Sequence, residues 1–479
     1  MKTLPINPPL TPPRRGTAND DIQQGSPPGR GWGWVQAFKA DFIRGILALT
    51  FALLALAVHA AESRDRFGGW DGVRGQATGF FHTEQIQGVW WLITPDGNAF
   101  LSKGVNHVSY TADQAPSLGY APYARVTAAQ YGSAQKWAEA TAARLKSWGF
   151  NTVGAWSSRE MSEQSVPHTL ILNLAASAGA NWLKGEVADV FSPKFEEAVR
   201  RQAQRLCLPR ARDPFLIGYF SDNELRWGSD WRSKKSLLED FLARPSETPG
   251  KQAAWRILRR GHDSFESFNK AWGTAAKDFD KLANQTSLPM GSDAAKSAQR
   301  AFLREYARTY FKLCRDAIKA ADANHLVIGC RFAGAAPQEV IEGMAEFVDV
   351  VSFNNYGFTP PAETLRNLHR ATGKPILLTE FSFKAQDSGL PNTKGAGKPV
   401  STQQDRAGHF DRYVTELIRM PFMVGFHWFE YCDEPAEGRF DGENSNYGLV
   451  NIQDEPWQVL VERMTQVNAG LEEMHSRSR

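Results

Sequence analysis

Eight times along this chain, an apolar run the length of a single strand ends and gives way to a helical pattern, most often at a polar or ionisable residue. The runs end at Asn106, Trp156, Leu174, Glu224, Arg331, Asn355, Glu380 and Glu430. Amphipathic periodicity covers Ala134–Trp148, Ser192–Leu206, Ala295–Ala321, Ala362–Thr372, Gln403–Arg419 and Glu455–Asn468. Alternation of this kind over roughly 400 residues requires a parallel sheet, and eight strands fit an α/β fold closed as a (β/α)8 TIM barrel. An open dinucleotide-binding sheet would carry a Gly-rich turn after its first strand, and the sequence has none there.

Three segments stand apart from the alternation. Residues 62–98 read as a short β preamble, with Gly79–Thr83 and Val89–Thr94 extended and Pro95-Asp96-Gly97-Asn98 turning into a barrel over 99–479. Residues 229–292 are polar and helical in pattern, an insertion after strand four on the face where a barrel keeps its chemistry. Residues 1–61 read as a Pro-rich leader and a signal peptide or anchor. Lys39 and Arg44 precede the apolar stretch Ile46–Val58, which is short for a membrane span, and Val58-His59-Ala60 is an acceptable cleavage site. The expectation is an exported, periplasmic or secreted protein, held at a membrane only if residues 46–58 are retained. A start codon further downstream would also explain the long leader.

Fifty-five basic and 52 acidic residues nearly balance, which removes any electrostatic reason to expect a nucleic-acid partner. Cys207, Cys314, Cys330 and Cys432 are scattered without metal-ligand spacing, so buried free thiols are expected. Fifteen tryptophans are many; core filling accounts for most large aromatics, and flat aromatic faces also serve sugar-binding clefts, so the number lends slight support to a carbohydrate ligand.

Glu224 and Glu380 carry the chemistry. Glu224 closes the stretch Phe220-Ser221-Asp222-Asn223 that ends the apolar run Phe215–Tyr219, and Glu380 follows a fully apolar strand. Paired carboxyls at strand ends are the equipment for glycosidic cleavage, one donating a proton and one attacking the anomeric carbon. The donor needs apolar surroundings or a nearby anion to stay protonated; Tyr219, Phe220 and Trp227 offer the first and Glu380 the second. Asn223 suits the 2-hydroxyl of the reacting sugar. Tyr356, past the strand that ends at Asn355, is a candidate donor to Glu380. On the last strand, Trp428 is expected as a sugar-stacking floor and His427 or Glu430 as holders of hydroxyls. Strand alternation requires one of His427 and Trp428 to point outward. Asn106, His107, Trp156, Arg331 and Asn355 complete the candidate substrate contacts. Asp441-Gly442-Glu443-Asn444 lacks the spacing of a calcium loop and reads as a turn shaping the cleft. No metal or organic cofactor is expected.

These residues resemble a family. Phe220-Ser221-Asp222-Asn223-Glu224-Leu225 is similar to the acid/base strand of clan A glycoside hydrolases. Val424 to Tyr431, Asp433-Glu434-Pro435, Gly438-Arg439 and Asn446-Tyr447-Gly448-Leu449-Val450 resemble the eighth-strand region of family 50 β-agarases. Trp91 to Gly97 with Gly104-Val105-Asn106 resembles the start of the same family's barrel. Phe268 to Thr274 is similar to a segment of family 42 β-galactosidases. The resemblance covers about residues 70–470. It implies a retaining hydrolase with Glu224 as acid/base, Glu380 as nucleophile and a β-linked, galactose-containing oligo- or polysaccharide as substrate. Many such agarases also carry an N-terminal β-sandwich, for which residues 62–99 are too few. Two other readings share the fold: a transglycosylase remodelling an envelope glycan, and a barrel that binds carbohydrate without turning it over.

Overall fold

Four strands precede the barrel: β1 (Trp70–Arg74), β2 (His82–Ile86), β3 (Val89–Ile93) and β4 (Asn98–Phe100), forming an antiparallel sheet in the order β1-β4-β3-β2. The β2–β3 hairpin turns on Gln87 and Gly88, both at positive φ, as a two-residue loop matched to strand twist requires. The computed structural model describes residues 64–478, so the leader, the cleavage site and the apolar stretch 46–58 lie outside the described residues. Among the described residues no helix is long and apolar enough to cross a membrane.

The barrel follows as β5 (Ser102–Val105), β6 (Thr152–Val153), β7 (His168–Ile171), β8 (Leu216–Asn223), β9 (Leu326–Ala333), β10 (Val351–Asn354), β11 (Ile376–Phe381) and β12 (Met423–Trp428). Every neighbouring pair is parallel, and β12 returns to β5 with His427 opposite Gly104, closing a (β/α)8 barrel. The third strand stops at Ile171, short of the expected Leu174. Leu174 instead opens a helical turn, Leu174–Ser177, whose Ala175 N–H donates to the Asp222 carboxylate at 3.0 Å. Tyr310 Oη donates to the same buried carboxylate at 2.5 Å, so the turn adds a backbone donor to a side-chain one.

The outer helices start where the chain supplies an acceptor for their first N–H groups. Ser133, Ser192 and Thr402 cap helices Ala134–Ser147, Pro193–Leu206 and Gln403–Ile418 with their side chains. The apolar faces of these helices bury Trp137, Phe195, Phe410 and Tyr413 against the strands. A second apolar cluster fills the barrel's lower end. Ile217, Leu326, Ile328, Leu377 and Val424, from the starts of their strands, meet Phe67, Phe81, Leu92 and Phe100 of the N-terminal segment. The preamble sheet therefore plugs the N-terminal end of the barrel, leaving the opposite end open for a site.

The insertion folds as short helices Leu237–Leu242, Pro249–Arg259, Phe265–Trp272 and Phe279–Ala283 leading into the 29-residue helix Asp293–Ala321. Phe268 and Trp272 stack at 5.3 Å, and Asn269 Oδ1 accepts from Thr274 Oγ1 at 2.6 Å. The segment Phe268 to Thr274 thus makes packing contacts. All four cysteines are buried and free, as their spacing implied.

Candidate active site

At the C-terminal end of the barrel lies a cavity of about 820 Å³, lined by residues following all eight strands. The chain reaches it by sharp turns. His107, Trp156, Asn173 and Glu224, following β5, β6, β7 and β8, all adopt positive φ between 47° and 61°. Left-handed backbone at a residue other than glycine costs about 1–3 kcal/mol and gathers where side chains must be aimed. Here four consecutive strand ends use it on one cavity wall.

Asn354 stands between the two glutamates. Its Nδ2 lies 3.1 Å from Glu224 Oε1 and 3.3 Å from Glu380 Oε2, and 3.2 Å from Asn223 Oδ1. The Thr379 hydroxyl donates to Asn354 Oδ1 at 2.7 Å, which fixes the amide's orientation. Donors surround Glu380: Tyr356 Oη at 2.5 Å from Oε1 and Arg331 Nη2 at 2.9 Å from Oε2. Arg331 also donates to Asn223 Oδ1 at 3.2 Å, and its guanidinium stacks 4.4 Å from the Trp156 ring centroid. Burial pushes the Glu224 carboxyl up to about 7, and the Glu380 charge adds to the shift. Asn354 and the arginines 331 and 232 pull it down by less. One carboxyl is thus poised to hold a proton near neutrality, while the other sits among donors and a cation.

A second polar group occupies the wall below the last strand. His107 Nδ1 hydrogen-bonds Glu430 and lies 3.6 Å from Asp113 Oδ2. Burial opposes charge on the imidazole, but Asp113 and Glu430 outweigh it and hold His107 up at about 8. Arg439 reaches Asp441 at 3.0 Å, Glu434 at 3.2 Å and Glu443 at 2.6 Å, and stacks over Phe429 and Phe440. Among the described residues, His107, Asp113 and Glu430 offer potential metal-ligand atoms within 4.8 Å of one another. Imidazolium and Arg439 already balance part of their charge.

Glu224, Glu380, Asn223, Tyr356, His107, Trp156 and Asn355 line the cavity, whereas Arg331 and Glu430 are buried behind that wall, bonded to Glu380 and His107, so Glu430 does not face sugar hydroxyls as expected. The structure also corrects the expectation for Trp428. That ring is fully buried against Phe381 and Phe410, its Nε1 donates to the Tyr447 carbonyl at 2.9 Å, and the Arg406 guanidinium covers it. Phe410 and Arg406 belong to helix Gln403–Ile418, so Trp428 points into the helix layer and cannot be the sugar's floor. Alternation then turns His427 inward. It lies inside the barrel, bonded to Ser102 Oγ at 2.8 Å, in space that a Cβ on Gly104 would invade at 2.3 Å. Burial holds this imidazole down at about 3, with help from Arg331's charge, so it is neutral and removed from sugar hydroxyls. Asn106 is also buried beneath the cavity. It ties three strand ends together through Thr379 O at 2.9 Å and Ala155 N at 3.0 Å. Asn355 spends its side-chain oxygen on Tyr413 and Gly357.

Sequence reasoning missed Asn354, the last residue of its strand, because its place opposite Glu380 is set by the β10–β11 pairing. It also missed Trp182, Phe429 and Arg439, which line the cavity from loops with no periodicity to read.

A parallel barrel with an amide-bridged pair of glutamates at the ends of its fourth and seventh strands has the architecture of the glycoside-hydrolase barrels. Within that class, this chain is similar to family 50 β-agarases. It is 28% identical to β-agarase B of Vibrio sp. strain JT0107 over 85% of its own length and 50% of that protein's. The structure of PfGH50B superposes with a TM-score of 0.77 at 26% identity, covering 86% of this chain and 69% of that one. The agarase AgWH50C gives the same TM-score at 27% identity, covering 89% and 70%. The chain spans about half the length of the curated β-agarases it matches. No family model matches it.

Proposed function

We propose that this protein is a retaining glycoside hydrolase cleaving a β-linked, galactose-containing oligo- or polysaccharide of the agarose type. The observation that carries the reading is the single Asn354 amide touching both glutamates. The two oxygens it contacts lie at most 6.4 Å apart, the sum of its two contacts, which is short of the ~6.5–9.5 Å between the carboxyls of inverting enzymes. The similarity to proteins named β-agarases supports the choice of sugar.

In the first step a Glu380 oxygen attacks the anomeric carbon. The glycosidic C–O bond breaks, and the departing oxygen takes the proton held by Glu224. In the second, Glu224 removes a proton from water, the water oxygen attacks the same carbon, and the ester to Glu380 breaks. A carboxyl raised to about 7 is suited to both tasks near neutral pH. Arg331 and Tyr356 hold Glu380 in line by bonds to both of its oxygens.

Incubation with a 2-fluoro glycoside bearing a good leaving group, followed by peptide mass analysis, tests the mechanism; the expected result is one adduct, on Glu380. Unlabelled protein that still depolymerises the glycan would rule out the covalent route. Agarose-derived oligosaccharides beside a panel of aryl β-glycosides test the sugar. Export belongs to the same proposal, and the N-terminal residue of the mature protein checks it: a start at Ala61 is the expected outcome.

A further inference from the structure

The segment between Glu224 and the first insertion helix carries an exposed tryptophan. Trp231 is 69% exposed, unlike most large aromatic side chains of this protein. Its ring meets Trp182 edge-on, with centroids 5.8 Å apart. Trp182 lines the cavity, with its indole N–H buried beneath the surface. Both rings are held by Arg232, whose guanidinium lies 5.6 Å from the Trp182 centroid and 5.4 Å from that of Trp231. The same guanidinium donates to the Trp182 carbonyl at 3.1 Å and to the Glu224 carbonyl at 3.0 Å. Asp230 Oδ2 anchors it at 2.6 Å.

One arginine therefore couples the aromatic pair to the backbone of the residue that would protonate the departing oxygen. We infer that Trp182 and Trp231 form a binding site for a pyranose on the leaving-group side of the scissile bond. The inference rests on the hydrolase reading and deepens it: the departing group is itself a sugar, and the substrate extends past the cleaved bond. The C–H face of a pyranose stacks on an exposed indole much as apolar groups do on aromatic rings, and Trp231 offers such a face beside the cavity-lining Trp182. The location fits the role. An acid that protonates the leaving oxygen faces the leaving group, and this wall follows that acid directly in the chain.

The test compares two substrates with Trp231→Ala. One is an agarose-derived hexasaccharide; the other is a β-glycosyl fluoride with the same sugars on the non-reducing side, whose leaving group is too small to reach the tryptophans. The expected result is a rise in KM for the hexasaccharide of about tenfold or more, at least tenfold larger than any effect on the fluoride. Equal losses on both substrates, or none on either, would overturn the site while leaving the hydrolase reading intact. Hydrolysis of neither substrate by the unmodified protein would instead remove the hydrolase reading. Calorimetric binding of the hexasaccharide to Glu380→Gln, with and without Trp231→Ala, then decides the site alone. Undiminished affinity in the double variant would exclude it.

Discussion

Arg331 and Glu380 form an ion pair at 2.9 Å in which the arginine is fully buried and the glutamate is 9% exposed. Removing one partner from a buried pair leaves an uncompensated charge and costs about 3–5 kcal/mol. Arg331→Met should therefore lose stability of that order in urea unfolding near neutral pH. Adding Glu380→Gln should recover part of it. Strictly additive losses in the double-variant cycle would show that the two side chains do not depend on each other.

Glu224 and Glu380 should respond differently to the leaving group. Glu224→Ala is expected to lose about 10²–10⁴ in rate on unactivated oligosaccharides and much less on aryl glycosides with acidic phenols, which depart without a proton. Glu380→Ala should lose both substrates. Azide should restore turnover to Glu224→Ala as a glycosyl azide of retained configuration, read by NMR.

The pH dependence follows from burial. The general acid works protonated, so kcat/KM on unactivated substrates should fall as pH rises through about 7. The same shift is a statement about stability. A folded-state value of about 7 lies above the ordinary 4.5, so the folded protein binds this proton more tightly than the unfolded chain. That contribution is complete below about pH 4.5 and is lost as pH rises through about 7. Glu224→Gln should gain about 1–3 kcal/mol on the parent protein between about pH 5 and pH 8, measured by denaturant titration. An unchanged difference across that range would place the shift elsewhere.

Asn354 and Asn355 are neighbours with separate duties. Asn354→Ala should lower kcat by about 10²–10³, the usual loss of a well-placed donor. Its amide lowers the Glu224 carboxyl, so the alkaline limb of the pH profile should also move upward. Asn355→Ala, whose oxygen faces Tyr413, should cost less than tenfold and leave that limb in place. Equal losses without a shifted limb would point to backbone disturbance.

Much of this fold was legible from residue pattern. The expected strand ends at Glu224, Asn355 and Glu380 lie within a residue of the observed Asn223, Asn354 and Phe381, and helix Ala362–Thr372 matches at both termini. Apolar runs of strand length and a 3.6-residue period are local properties, so a linear sequence can express them. The two carboxyls could be singled out because a strand-terminal glutamate after an apolar run is conspicuous. The tertiary structure alone decided which side of β12 faces the cleft, giving His427 to the barrel interior and Trp428 to the helices. Parity along a six-residue strand is set by its pairing with β5, and two adjacent aromatic residues look alike without that register. It also decided that Asn354, and not Asn355, joins the glutamates. That contact depends on β10 lying beside β11, a relation between segments that no stretch of sequence contains.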